Sequence, residues 1–154
     1  MKLLDELQLE ARALGRSDYA KDYPLKEVFL IAKHCAGGII LGFEQFYIEK
    51  GIEKRNVGNG KEKAIGKDQD KNADNTLILP TPWNHVEAGI LFGLKLPLLI
   101  FKEEGIKGGI FDFGILDVFI HEMPPIVISD EKYAELKQVF LKWYGEVSRK
   151  YNKY

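Results

Sequence analysis

Apolar residues in this chain follow two rhythms. Ile39-Ile40-Leu41-Gly42-Phe43 and Leu96-Pro97-Leu98-Leu99-Ile100-Phe101 are apolar without alternation. Such runs predict strands covered on both faces, as in a parallel sheet flanked by helices. Elsewhere the spacing is three and four. Leu25, Val28, Phe29, Ala32 and Cys35 predict a helix over 24–35, opened by Pro24 and ended by Gly37 and Gly38. Val86, Ile90, Leu91 and Leu94 predict a second over 82–94, and Ser129 or Asp130 caps a last amphipathic helix reaching about residue 150. Residues 1–7 suffice for barely two helical turns. Residues 9–14 set Leu9, Ala11 and Ala13 against Glu10 and Arg12 and then meet Gly15, which predicts a short strand. Gly105, Gly108 and Gly109 form a loop into a short helical turn over 110–117, and Val118-Phe119-Ile120-His121 predicts a strand closed by Pro124 and Pro125. Strands alternating with helices predict an α/β fold: three layers, flavodoxin-like, with a mainly parallel sheet and helices on both faces.

One stretch breaks the pattern. From about 49 to 76, Lys, Glu, Asp, Gly and Asn dominate, as in Gly58-Asn59-Gly60-Lys61-Glu62-Lys63. Too few apolar residues remain to pack a core, so a charged, flexible insertion is expected within a single domain over 1–154. The 45% apolar and 29% charged composition suits a globular protein. A net charge of −1 supplies no field for nucleic acid or an anionic membrane, and no apolar run is long enough to span a bilayer. Neither partner is expected. A lone cysteine, Cys35, excludes an intrachain disulfide and reads as a small buried hydrophobe. With no signal-peptide pattern at the N-terminus, a cytoplasmic location is expected.

The candidate chemistry concentrates in residues 80–89. Thr81 is a good N-cap and Pro82 suits the first helical position. Trp83 and Glu87, four apart, share one helix face, and Asn84 lies beside them at the helix mouth. Ligands of parallel sheets gather at the carboxyl ends of the strands. Three loops leave such ends: Arg16-Ser17-Asp18-Tyr19, Glu44-Gln45-Phe46-Tyr47, and the loop over 103–112. Asp18, Glu44, Trp83 and Glu87 are therefore expected to converge on one crevice.

The order of elements, with Thr81-x-Trp83-Asn84-x-x-Glu87 followed by Leu96-Pro97-Leu98-Leu99-Ile100, resembles the TIR-like and nucleoside 2-deoxyribosyltransferase-like superfamily. TIR domains carry Ser-x-Trp-Cys-x-x-Glu at the matching helix, so Thr81, Trp83 and Glu87 correspond and Asn84 stands where the cysteine would be. Glu87-Ala88-Gly89 also matches the Glu-x-Gly of the deoxyribosyltransferase-like proteins. The resemblance implies a domain that binds a nucleotide or nucleoside and cleaves a ribose–base bond, with NAD as one candidate substrate and no cofactor. It implies Glu87 as the catalytic carboxylate, Trp83 as a stacking plate or pocket wall, and Asn84 as a partner of ribose hydroxyls. Asp18 or Arg16 would orient the ligand. It also leaves the superfamily's first strand, central in the sheet, without a counterpart here. An exposed sheet edge would follow, and with it a homo-oligomer.

Another reading is a non-catalytic module that senses a nucleotide-derived ligand or drives oligomerisation. A receiver-like phosphorylation domain fits less well, since no acceptor Asp stands at a first-strand end. His34, Cys35, His85 and His121 lack metal-ligand spacing, so no metal site is expected. Gly58-x-Gly60-Lys61 lacks the rest of a phosphate loop, and Gly105 to Gly109 carries no dinucleotide fingerprint. His85 reads as a polar rim residue.

Overall fold

The second continuous apolar run is the centre of the fold. In a computed structural model, which describes residues 2–12, 24–53, 63–65, 76–115 and 118–152, the chain begins with α1 (Lys2–Glu6), α2 (Pro24–Lys33) and β1 (Gly38–Gly42). Four short strands follow: β2 (Phe46–Ile48), β3 (Gly51–Glu53), β4 (Lys63–Ile65) and β5 (Leu77–Leu79). Then come α3 (Pro82–Gly93), β6 (Leu98–Lys102), a single 3₁₀ turn at Gly109–Phe111, β7 (Ile120–Glu122) and α4 (Asp130–Tyr151). The strands β1, β6 and β7 form one parallel sheet in that order, with Ile40 beside Ile100 and Ile100 beside Ile120.

The continuous apolar pattern of β6 follows from burial on both faces. Leu98 and Ile100 join Ile40, Ala32 of α2, and Ala88 and Leu91 of α3 in one core. Leu99 and Phe101 join Leu3 of α1 and Phe140, Trp143 and Val147 of α4 in the other. The result is the three-layer α/β architecture expected from the sequence, with a parallel sheet of the flavodoxin type in a small version. Fully burying a side chain such as Ile100 contributes about 1.5–3 kcal/mol, and its exposure is 0%. The Trp143 indole N–H donates to the Pro97 carbonyl at 3.1 Å, joining α4 to the start of β6. No helix among the described residues is long and apolar enough to cross a membrane.

The structure departs from the sequence-based expectation in four places. Residues 9–12 form no strand, and 13–14 lie outside the described residues. Instead, Leu9 N–H bonds the Leu4 carbonyl and Gln8 N–H bonds the Asp5 carbonyl, with Gln8 at φ 55°. This is a Schellman ending of α1, whose hydrophobic contact places Leu9 against the α4 core. The apolar alternation was thus the tail of a helix cap. In α2, Val28 and Ala32 are buried as expected, but Leu25 and Phe29 are 53% and 42% exposed. In α3, Val86 of the expected apolar stripe is 40% exposed. Around the stretch expected as a charged insertion, the described residues form two paired ladders. At its base β2 pairs antiparallel with β5, and further out β3 pairs with β4; residues 54–62 and 66–75 lie outside the described set. Phe46-Tyr47-Ile48 and Leu77-Ile78-Leu79 are short, strand-favouring runs that flank the charged stretch and zip it at the root.

Gly42, the last residue of β1, has no room for a side chain. An added Cβ would lie 2.5 Å from Cε1 of the fully buried Phe111. Gly42→Ala should therefore destabilise the protein by about 1–3 kcal/mol in urea unfolding. Adding Phe111→Leu should relieve the clash, so that the double variant loses less stability than the two single losses combined. Strict additivity would show that the ring and Gly42 do not oppose each other.

Candidate functional site

The α3 mouth is built as its sequence dictates. Thr81 Oγ1 accepts the Trp83 N–H at 3.0 Å, and Pro82 occupies the first turn. Asn84 then fixes the helix to the sheet, its Nδ2 donating to the Leu41 carbonyl at 3.2 Å. Because a carbonyl can only accept, this contact also fixes which way the amide points. Asn84 Oδ1 is left buried with no hydrogen-bond partner, at a cost of roughly 1–3 kcal/mol.

The residues around Asn84 divide by helix face. Ala88 and Leu91 follow it onto the core. His85 turns to one flank, where its ring meets Phe111 edge-on at 5.7 Å and closes over Gly109, whose added Cβ would lie 2.8 Å from the imidazole. Helical spacing puts Trp83 and Glu87 on the opposite flank. Trp83 is 41% exposed. Glu87 is half-buried, and no donor among the described residues reaches it; burial pushes its carboxyl above the usual carboxylate range. Glu87 sits in the second helical turn, where the helix dipole has largely faded. Desolvation is therefore unopposed.

The rim beyond the sheet is held by a different set of contacts. Glu44, just past β1, donates its N–H to Glu103 Oε2 at 2.6 Å, while Glu103 N–H donates to the Gly42 carbonyl. Lys102, at the end of β6, donates from Nζ to the Ile106 carbonyl at 2.9 Å and the Phe111 carbonyl at 3.0 Å. The base of the insertion closes the same rim, with Lys107 N–H bonded to the Ile78 carbonyl and Gln45 N–H to that of Leu79.

Of the expected site residues, Trp83, Asn84 and Glu87 share the mouth of α3. Asn84 joins them to Leu41, three positions before Glu44, whose side chain is exposed. Asp18 and Arg16 lie outside the described residues. His85, expected as a polar rim group, is partly exposed and packs its ring on the glycine loop. Lys102, Glu103 and Phe111 were not singled out from sequence. Lys102 did carry a signal, as the first charge after a continuous apolar strand. The Cys35 thiol is pushed up by burial, which disfavours the nucleophilic thiolate. No group of three or more His, Cys, Asp or Glu among the described residues is placed to hold a metal ion.

The fold and site define an α/β domain with a desolvated carboxylate at a helix mouth beside the carboxyl ends of parallel strands. No protein-family profile, curated protein sequence or solved structure matches the chain.

The raised Glu87 carboxyl has a consequence for stability. The native chain keeps the Glu87 proton to higher pH than the unfolded chain, whose Glu titrates near pH 4.3. Stability is thereby lost as pH rises from that range through the raised native value. Glu87→Gln should have a higher urea midpoint than the parent at about pH 7 and an equal one at about pH 3.5. A variant less stable at both would reveal a bonded role for the carboxylate.

Proposed function

We propose that this chain is a nucleotide- or nucleoside-binding domain that cleaves a ribose–base bond through Glu87. The observation that carries this reading is the Glu87 carboxylate, half-buried and without a donor, one helical turn from the exposed Trp83. Its spacing to Thr81 and Trp83 supports the TIR-like and deoxyribosyltransferase-like resemblance.

The chemistry follows from that placement. When the C1′–N bond breaks, its electron pair leaves with the base and C1′ becomes an oxocarbenium-like cation. A carboxylate in a poorly solvated setting stabilises that cation strongly or bonds to it. Water then adds to C1′. Its proton goes to solvent when the leaving base is a neutral nicotinamide, and to the base when a nucleoside is cleaved. Trp83, 41% exposed, offers a flat face for stacking.

The test is incubation of purified protein with NAD and, separately, with 2′-deoxynucleosides, with free base measured by chromatography. Base release that falls about 100-fold or more in Glu87→Gln is the expected result. Release from none of these substrates, or unchanged release in the variant, overturns the catalytic reading. Ligand binding by both the parent and the variant, with no base released by either, supports the sensing module instead.

A further inference from the structure

The sheet ends on two edges, and the two differ. In β1, Gly38 N–H bonds the Pro97 carbonyl and the Gly42 carbonyl receives Glu103 N–H, so residues 38, 40 and 42 face β6. The backbone groups of Ile39 and Leu41 therefore face outward. Among the described residues only Asn84 Nδ2 meets them, at the Leu41 carbonyl. In β7, Met123 N–H bonds the Lys102 carbonyl, which turns Ile120 and Glu122 outward. That second edge carries the usual protections: three residues, a charge at Glu122, and Pro124-Pro125 directly after. The β1 edge carries none. It is five residues long, Gly38-Ile39-Ile40-Leu41-Gly42, uncharged and without proline.

We propose that two copies of this chain associate through the outer edges of β1, antiparallel about a two-fold axis at Ile40. The strand reads nearly the same from both ends, glycine outermost and branched apolar residues within, so it meets its own copy without charge repulsion or bulk at its ends. Ile39 of each copy faces Leu41 of the other, and each pair exchanges both backbone hydrogen bonds. The Leu41 carbonyl has a second lone pair, so Asn84 does not block it.

Exposed apolar side chains stand on both sides of the sheet. On the α2 side Leu25 and Phe29 are 53% and 42% exposed; on the other, Leu41 and Phe43 are 42% and 49% exposed. With the strand backbone, two copies cover on the order of 1,000 Å², at the lower end of specific interfaces. The dimer is therefore a dissociating one, not an obligate one. The interface is isologous and closes on itself, whereas pairing β1 to the β7 edge of another copy would be head-to-tail.

The experiment is sedimentation velocity over about 1–500 μM protein, with amide hydrogen exchange read by NMR. Mass should shift from monomer to dimer across this range, and the Ile39 and Leu41 amides should become protected in step. Leu41→Lys should weaken the dimer at least tenfold, and Phe29→Lys, on the exposed face of α2, should do the same if the strand variant folds poorly. A monomer at every concentration overturns the proposal, whether or not another protein's strand binds the edge. So does a dimer in which the Ile39 and Leu41 amides exchange as fast as in the monomer. Neither result bears on base release at Glu87.

Discussion

The contact on which the upper half of this molecule depends is the Phe111 ring lying against the bare Cα of Gly42. Phe111 is fully buried, yet it belongs to a loop, which ordinarily runs over the surface. What holds it there is a cation. Lys102 extends from the end of the central strand and bonds the carbonyls of Ile106 and Phe111, satisfying two acceptors that burial would otherwise strand. From that anchor the ring reaches β1 on one side and the His85 imidazole on the other. Two strand ends, a glycine loop and a helix mouth are fixed by one side chain.

That anchor explains why the α3 mouth is rigid enough to carry a costly group. Asn84 and His85 hold adjacent sides of the helix, one to the edge strand and one to the loop. Glu87 stands half-buried on the flank away from His85. The burial that raises its carboxyl is thus imposed by neighbours and not relieved by any partner. An unsatisfied amide oxygen at Asn84 beside an unpartnered carboxylate at Glu87 is a concentration of unfavourable local terms. Along the same helix Trp83, Val86 and Phe92 are exposed as well, so α3 shows apolar side chains to solvent besides these two polar groups.

Most of the fold could be read from the sequence because its signals are local. Thr81 and Ser129 are caps whose side chains accept nearby backbone N–H groups, and both helices begin there. β6 was visible because burial on both faces leaves no polar position to interrupt it, and β1 carries the same continuous apolar run although Leu41 is exposed. The segment over 9–14 failed for an equally local reason: a Schellman ending places hydrophobic residues on either side of the helix stop, and two-residue alternation cannot be told from that. The rim was harder. Lys102 meets Ile106 and Phe111 through a loop whose path depends on three positive-φ glycines, at 105, 108 and 109. Gly42 meets Phe111 across a strand pairing. Neither contact has a period. Glu87 was found from its spacing to Trp83, but its desolvation is a property of packing that spacing does not encode.

Leu41 links the edge to the mouth. Its side chain is partly exposed, its N–H points outward, and its carbonyl is held by Asn84. A strand that pairs with the edge of β1 uses the second lone pair of that carbonyl and leaves the Asn84 bond in place. Asn84 also stands one turn before Ala88, which has no exposed surface and no slack. A shift of the amide therefore moves the helix or breaks the bond; it is not absorbed by repacking. The same asparagine ties the helix that carries Glu87 to the outer strand of the sheet.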